Sequence, residues 1–316
     1  MATKSAPSPA PAPTAVPAPL KPLRGVRVLS LALNLPGPGA LMRLRAMGAT
    51  CTKAEPPASR NLPAGTPGDP MGQYAVGAYV TMHTGVKVVT VDLKTDKGQA
   101  ALHKMLATTD VLLTSFRPSA LTKLGLDWKA LHKRYPALSQ VAIVGAHGAR
   151  AEEPGHDLTY LADNGLVTGM DLPATLFADM GGALMTSEAV LKAVLAQRLG
   201  KTGRGSFQEV ALSEAAAWLA LPRFWGLTLP SGSVGGAHAG YKVYPCKDGR
   251  VAVAALEPHF AAALCAAAGV PVSTDRALMF APATHATIAA FLLTQTRTQL
   301  EKLAVKKDIP LLTLGK

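Results

Sequence analysis

The sequence predicts an α/β protein in which a doubly wound parallel sheet forms a large domain and a smaller α+β domain follows. Two observations support this fold class. From residue 26 to residue 212, short apolar runs alternate with helical segments, which is the pattern of right-handed βαβ units. A glycine-rich stretch over residues 231–240 then separates this region from a hairpin pattern and further helices.

Each element is assigned from its hydrophobic period and from the turn residues that bound it. In chain order, the large domain and the segment after it are expected to contain strand 26–33, a turn at Pro36–Gly39, helix 40–47 closed by Gly48, strand 49–54, a surface loop over 55–71, strand 86–93, helix 97–107, strand 110–115, helix 131–135, strand 139–144, helix 158–164, helix 180–199, strand 207–212 and helix 213–225. The last part is expected to form a hairpin over residues 241–255, turning at 247–250, and helices from Pro258 onward.

These elements divide the chain into four parts. Residues 1–22 are rich in alanine and proline, and we expect a disordered, partly polyproline II tail. Residues 23–200 are expected to form the large α/β domain and residues 201–240 linking helices. Residues 241–316 are expected to form the small α+β domain.

The composition favours a globular protein with an anionic ligand. Of the 316 residues, 48% are hydrophobic and 16% are charged, which is enough apolar material for two cores. The formal net charge of +12 attracts phosphate-bearing ligands. The basic residues are scattered and do not interleave with aromatic ones, so we expect no nucleic-acid partner.

The sequence gives no sign of membrane or metal association. No apolar run approaches the roughly 20 residues of a membrane span. Cys51, Cys246 and Cys265 have neither metal-ligand nor redox spacing, so we expect no metal site. So sparse a set of cysteines favours a cytoplasmic protein.

Three acid–base side chains stand near the starts of predicted helices: His156, Asp179 and Glu257. A histidine and a carboxylate can pass protons to and from a carbon near neutral pH. The same residue types also suit helix starts, and Asp157 is expected to be the N-cap of helix 158–164. From the residues alone, both interpretations stay open.

The turn at Pro36–Gly39 stands where a phosphate-binding turn would stand in a βαβ unit. Gly37 and Gly39 would let a ligand approach the backbone closely. However, the motif is not G-x-G-x-x-G, so a tight turn without a ligand fits equally well.

Twelve short motifs follow one another along the chain from Leu23 to about Leu312. They are Pro22–Val28, Gly37–Ala40, Met47–Ala49, Val91–Lys94, Asp110–Leu112, Phe116–Pro118, Leu124–Leu126, Gly155–Asp157, Ala178–Gly182, Thr202–Gly205, Cys246–Arg250 and Glu257–Phe260. With these motifs the chain resembles the family III CoA-transferase group (CaiB/BaiF type), which includes formyl-CoA transferase, carnitine CoA-transferase and α-methylacyl-CoA racemase. The motif Gly-His-Asp-x-x-Tyr at residues 155–160 is most similar to the racemase branch.

The resemblance implies a Rossmann-like large domain, an interlocked homodimer, and a coenzyme A thioester as substrate with no permanently bound cofactor. It implies that His156 and Asp179 flank the α-carbon of an acyl-CoA. It also implies that Glu257 hydrogen-bonds His156, within the chain or across the dimer. The CoA contacts implied by the resemblance are Lys53, Lys87, Arg117, Gly37, Gly39 and Tyr160.

Three functions follow as hypotheses. The first is a 2-methylacyl-CoA racemase or epimerase that exchanges the α-proton between His156 and Asp179. The second is a CoA transferase in which Asp179 attacks the thioester and forms an acyl anhydride. The third is a non-catalytic paralogue that binds acyl-CoA or a partner, because basic positions of the family are replaced (Pro56 is one) and the chain ends about where the family's C-terminal segment would return to the large domain.

Overall fold

The computed structural model describes residues 20–200, 203–271 and 275–315. It divides into two compact units, with the boundary between Trp218 and Leu219. Most of the predicted N-terminal tail, residues 1–19, lies outside the described residues.

The first unit contains a six-stranded sheet and most of the helices. Its strands are β1 (Arg27–Ser30), β2 (Thr50–Glu55), β3 (Lys87–Thr90), β4 (Val111–Thr114), β5 (Ser139–Val144) and β6 (Phe207–Ala211). All neighbouring strands pair in parallel, in the order β3-β2-β1-β4-β5-β6. The order reverses between β1 and β4, as in a doubly wound sheet of the dinucleotide-binding type. The predicted parallel α/β fold is confirmed.

Helices cover both faces of this sheet. They are α1 (Pro36–Ala46), α2 (Met71–Tyr74), α3 (Val76–Met82), α4 (Asp96–Leu106), α5 (Pro118–Lys123), α6 (Trp128–Arg134), α7 (Asp157–Asp163), α8 (Phe177–Leu199) and α9 (Leu212–Phe224), the last of which crosses the unit boundary. Alternate strand residues enter two separate cores. Val28 packs in one cluster with Leu44 of α1 and Val190 of α8, whereas the next residue, Leu29, packs in another with Leu102 of α4.

In its described residues, the second unit combines an antiparallel sheet with three α-helices that lie wholly within it. The strands β7 (Tyr241–Cys246), β8 (Gly249–Ala254) and β9 (Leu311–Leu314) pair in that order. The helices are α10 (Pro258–Ala268), α11 (Pro282–Thr294) and α12 (Arg297–Lys307). Val251, Leu264 and Ile288 are among the residues of its core. The predicted hairpin is present with a tighter turn, residues 247–248, and β9 was not predicted.

Three sequence-based boundaries differ from the structure. Because residues 207–211 form β6 of the large sheet, the predicted boundary at residue 200 falls inside the first unit. The segment Pro36–Gly39, predicted as a turn, is the first turn of α1, a position that proline favours. The predicted surface loop 55–71 is irregular over 56–70, but Asp69 within it is fully buried.

Candidate active site

A cavity of about 180 Å³ opens at the carboxyl ends of β1, β4 and β5. Ligands of doubly wound sheets bind at this edge, beside the strands where the order reverses. Side chains that line the cavity include Asn34, Ser115, Arg117, His156, Tyr160 and Asp179. The structure therefore places four of the predicted site residues on one cavity: His156, Asp179, Tyr160 and Arg117.

Asp179 lies in the first turn of α8, which begins at Phe177, three residues earlier than predicted. Its backbone N–H donates a hydrogen bond to the Asp157 carboxylate at 2.9 Å. The pKa of the Asp179 carboxyl is raised to about 6, first by burial and second by the negative charge of Asp157. His156 lowers it. At neutral pH a small but real fraction of Asp179 is therefore protonated.

His156 is the N-cap of α7 and lines the same cavity as Asp179. Its backbone N–H donates to the Thr159 hydroxyl at 3.1 Å, which is one half of a capping box between these two residues. The His156 side chain is exposed and lines the cavity, where a ligand can reach it.

The prediction that Asp157 caps its own helix is wrong. Asp157 is the first helical residue of α7, and its buried side chain reaches across to the N–H of Asp179. Asp157 does accept a hydrogen bond from an unpaired N–H at a helix start, but that helix is α8 and not its own helix α7. This bond ties the two helix starts that carry His156 and Asp179.

Tyr160 enters the cavity with its ring held between two glycines. A β-carbon at Gly155 would lie 2.5 Å from the phenol oxygen, and one at Gly145 would overlap the same oxygen. The ring also packs beside Ile143 and Leu212. Burial raises the pKa of the Tyr160 phenol, and the charge of Asp179 raises it too.

Lys53, predicted as a CoA contact, lies in a buried ion cluster. Its side chain is 0% exposed, and its ammonium pairs with Asp69 and, at 3.5 Å, with Glu55. The ring of His83 is 3.1 Å from the same nitrogen. Because its charge is already paired inside the protein, Lys53 as placed here cannot reach a CoA phosphate.

Gly37 and Gly39 are also buried, in the first turn of α1. A β-carbon at Gly37 would overlap that of Ala32, and one at Gly39 would lie 3.1 Å from that of Ala183 on α8. Close packing within the protein thus accounts for both glycines. Among the predicted CoA contacts, Arg117 lines the cavity with its side chain exposed, and Lys87 is exposed on the edge strand β3.

Glu257 lies in the second unit as the N-cap residue of α10, where its exposed side chain forms no cap hydrogen bond. Its carboxylate makes no hydrogen bond to the described residues of its own unit. Its predicted pairing with His156 stays a prediction.

Sequence reasoning missed the residues that shape the wall after β1. Asn34 lines the cavity with a φ of 62°, a left-handed conformation that is uncommon outside glycine. Its N–H donates to the Asp69 carboxylate at 3.1 and 3.2 Å. Asp69 also accepts from Met71 and pairs with Lys53. The one available signal was the Gly-Asp-Pro sequence at residues 68–70, which is typical of a turn.

The family model for CoA-transferase family III matches residues 23–314, which is most of the chain. The chain belongs to CoA-transferase family III. A probable fatty acyl-CoA transferase of Mycobacterium tuberculosis, Rv3272, is 33% identical over 214 residues, covering 64% of this chain and 53% of that protein. Human α-methylacyl-CoA racemase is 28% identical over 256 residues, covering 75% and 62%. The matched region therefore spans little more than half of each relative's own length.

The family III fold is confirmed by solved structures. The orthorhombic crystal form of Rv3272 superposes with a TM-score of 0.77 at 25% identity, covering 94% of this chain and 84% of that one. The named relatives include both racemases and CoA transferases, so family membership leaves the reaction open between the two. Among the described residues, no helix is long and apolar enough to cross a bilayer.

Proposed function

We propose that this family III member acts on an acyl-CoA thioester as a 2-methylacyl-CoA racemase or epimerase. The observation that supports this most is the shared cavity of His156 and Asp179, with the pKa of Asp179 raised to about 6. A 1,1-proton transfer needs one group that accepts a proton and another that donates one at the same pH. A carboxyl that titrates near neutrality can do either.

The proposed reaction has two steps. One of the two groups takes the α-proton, and the C–H electron pair moves into the thioester to give an enolate. The other group then donates its proton to the opposite face of the α-carbon, while the enolate electrons return to carbon. Each turnover in one direction leaves the two groups with exchanged protonation states, so the reverse direction needs no further reagent.

The remaining parts of the proposal concern binding. Coenzyme A is part of the substrate, and no permanently bound cofactor is proposed. Arg117 is the cavity's cationic contact for the CoA thioester, and Lys87 is a second contact for its phosphates. We propose that Glu257 orients His156 within a cytoplasmic homodimer.

Deuterium uptake tests the proton transfer. Isobutyryl-CoA has one α-hydrogen on a carbon that is not a stereocentre, so its exchange in D₂O is read directly by mass spectrometry. We expect His156→Ala and Asp179→Asn to slow uptake by about 10²-fold or more. His103→Ala, remote from the cavity, should keep the wild-type rate. If His156→Ala exchanges as fast as the wild type, transfer through His156 is refuted.

CoA transfer through Asp179 is the second candidate, because a relative that is 33% identical is named a probable fatty acyl-CoA transferase. The Asp179 carboxylate would attack the thioester carbon, releasing the CoA thiolate and leaving an acyl anhydride. Hydroxylamine would then convert Asp179 to a hydroxamate. If CoA exchange between acyl groups proceeds and no adduct forms at Asp179, this candidate is refuted.

A non-catalytic role predicts a third result. Calorimetry would then detect micromolar binding of CoA or acyl-CoA, while a broad panel of acyl-CoAs shows neither deuterium uptake nor CoA exchange. Uptake or exchange with any member of the panel would exclude this role.

A further inference from the structure

Among the described tyrosines with half-buried or buried side chains, Tyr160 differs in its hydroxyl. The phenol O–H of Tyr79 donates to Glu55 at 3.1 Å, that of Tyr135 to the His103 carbonyl at 3.2 Å, and that of Tyr244 to the Ala239 carbonyl at 2.8 Å. The Tyr160 hydroxyl has no hydrogen-bond partner among the described residues. Because this half-buried residue lines the cavity, its hydroxyl is open to a ligand instead.

The position of this hydroxyl is fixed. Gly145 and Gly155 enclose the phenol oxygen so closely that neither position has room for a β-carbon. The Tyr160 main chain is held as well, because its carbonyl accepts a hydrogen bond from the Asn164 amide at 2.9 Å. A donor that is rigidly held and has no protein partner is ready for a ligand atom.

The electrostatic surroundings identify the kind of atom. Tyr160 lies within range of the charge of Asp179, which favours the protonated phenol, and of Arg117, which has the opposite influence. All three side chains line the same cavity. A phenol kept in its protonated form can donate to an acceptor in the cavity that also contains the Asp179 carboxyl.

The backbone N–H nearest to the reacting carboxyl is not available for that acceptor. Asp179 donates its own N–H to Asp157 at 2.9 Å. The thioester oxygen becomes the enolate oxyanion when the α-proton leaves, and it needs a donor at that moment. Tyr160 offers one from a preorganised position.

We propose that the Tyr160 hydroxyl donates a hydrogen bond to the thioester oxygen of the bound acyl-CoA and stabilises the enolate. Tyr160 is thereby a catalytic residue whose contact strengthens as charge develops on oxygen. This inference rests on the proposed acyl-CoA function of the same cavity. It assigns Tyr160 to the reacting end of the substrate rather than to the CoA moiety.

The test compares Tyr160→Phe with Tyr135→Phe, in which the phenol that is lost lies outside the cavity. Both changes keep the ring and remove one hydroxyl. With isobutyryl-CoA in D₂O, we expect kcat for uptake to fall about 10²-fold or more in Tyr160→Phe, with KM nearly unchanged. Tyr135→Phe should retain the wild-type kcat. A Tyr160→Phe enzyme that changes KM alone, or neither constant, overturns the proposal.

A second measurement is independent of turnover. Infrared difference spectra of bound isobutyryl-CoA, labelled with carbon-13 at the thioester carbon, report the C=O stretch. A hydrogen bond from Tyr160 lowers this frequency in the wild type and in Tyr135→Phe, relative to Tyr160→Phe. Equal frequencies in all three overturn the Tyr160 inference while leaving proton exchange in place. A lowered frequency without deuterium uptake supports Tyr160 and refutes the proposed exchange, and no binding of isobutyryl-CoA refutes both.

Discussion

Replacing Asp179 by asparagine should stabilise the protein, and by an amount that depends on pH. The pKa of this carboxyl rises from the ordinary 3.8 to about 6 in the folded chain. At about 1.36 kcal/mol per pH unit, that difference corresponds to about 3 kcal/mol. The folded state holds the Asp179 proton more tightly than the unfolded state does. Stability is therefore lost as pH rises through about 6, where the buried carboxylate must be charged.

Asparagine has nearly the shape of protonated aspartate and cannot ionise. The gain in unfolding free energy for Asp179→Asn should be about 0.6 kcal/mol at pH 4 and about 3 kcal/mol at pH 8. Hydrogen exchange of the β5 amides at several urea concentrations reports the unfolding of the first unit at each pH. Asp171→Asn, at an exposed aspartate, is the matched control and should stay within about 0.5 kcal/mol throughout.

Two results would refute this reasoning. One is a gain in unfolding free energy for Asp179→Asn that is the same at pH 4 and pH 8. The other is a wild-type protein that is more stable than Asp179→Asn at pH 8. The cause can be tested separately with Asp157→Asn, which keeps an oxygen for the Asp179 N–H but removes a charge. In that background the gain at pH 8 should be smaller, because the pKa of Asp179 falls when the neighbouring charge is absent.

Two further predictions separate structural from ligand-binding residues. Lys53→Met should lower the unfolding free energy by about 3–5 kcal/mol, because it leaves buried carboxylates unpaired, whereas Lys87→Ala should cost less than about 0.5 kcal/mol and weaken CoA binding instead. Urea unfolding and CoA calorimetry on both variants check this, and equal stability losses would contradict it. Gly37→Ala should cost about 1–3 kcal/mol because its β-carbon would overlap Ala32, whereas Gly169→Ala, with open space around it, should be close to neutral in the same unfolding assay.

The sequence predicts the sheet well because each strand is signalled locally. The runs assigned to strands 26–33, 110–115 and 139–144 contain β1, β4 and β5, although the structure trims the first two at their ends. β9 was missed although Pro310 and Gly315 flank it, because the four residues Leu311–Leu314 are too short a run to show a clear period. Local period therefore predicts which segments are strands and the βαβ rule predicts that they pair in parallel, while the strand order β3-β2-β1-β4-β5-β6 comes from the structure.

The site was only partly predictable, since its chemistry depends on contacts between distant segments. The motif resemblance selected His156, Asp179 and Tyr160, and the structure places all three on one cavity. Nothing in the sequence indicates that Asp157 bonds to α8 or that Lys53 is buried. Both facts arise from how loops and helices approach each other in three dimensions.

The pKa of Asp179 shows which of two opposing effects prevails at this helix start. A carboxylate in the first turn of a 23-residue helix is favoured by the helix dipole, typically by about 0.3–1 kcal/mol, and that alone would lower its pKa. Burial and the charge of Asp157 raise the pKa to about 6, a difference of about 3 kcal/mol, which is larger than that contribution of the dipole.

Asp157 thus acts on Asp179 in two ways. Through the hydrogen bond to the Asp179 N–H it fixes the start of α8 beside that of α7, and through its charge it moves the pKa of Asp179 toward neutrality. A neutral residue at position 157 could supply the first effect but not the second. The proposed proton exchange requires both, because in one direction Asp179 must start protonated, and a carboxyl with an ordinary pKa is almost never protonated at neutral pH.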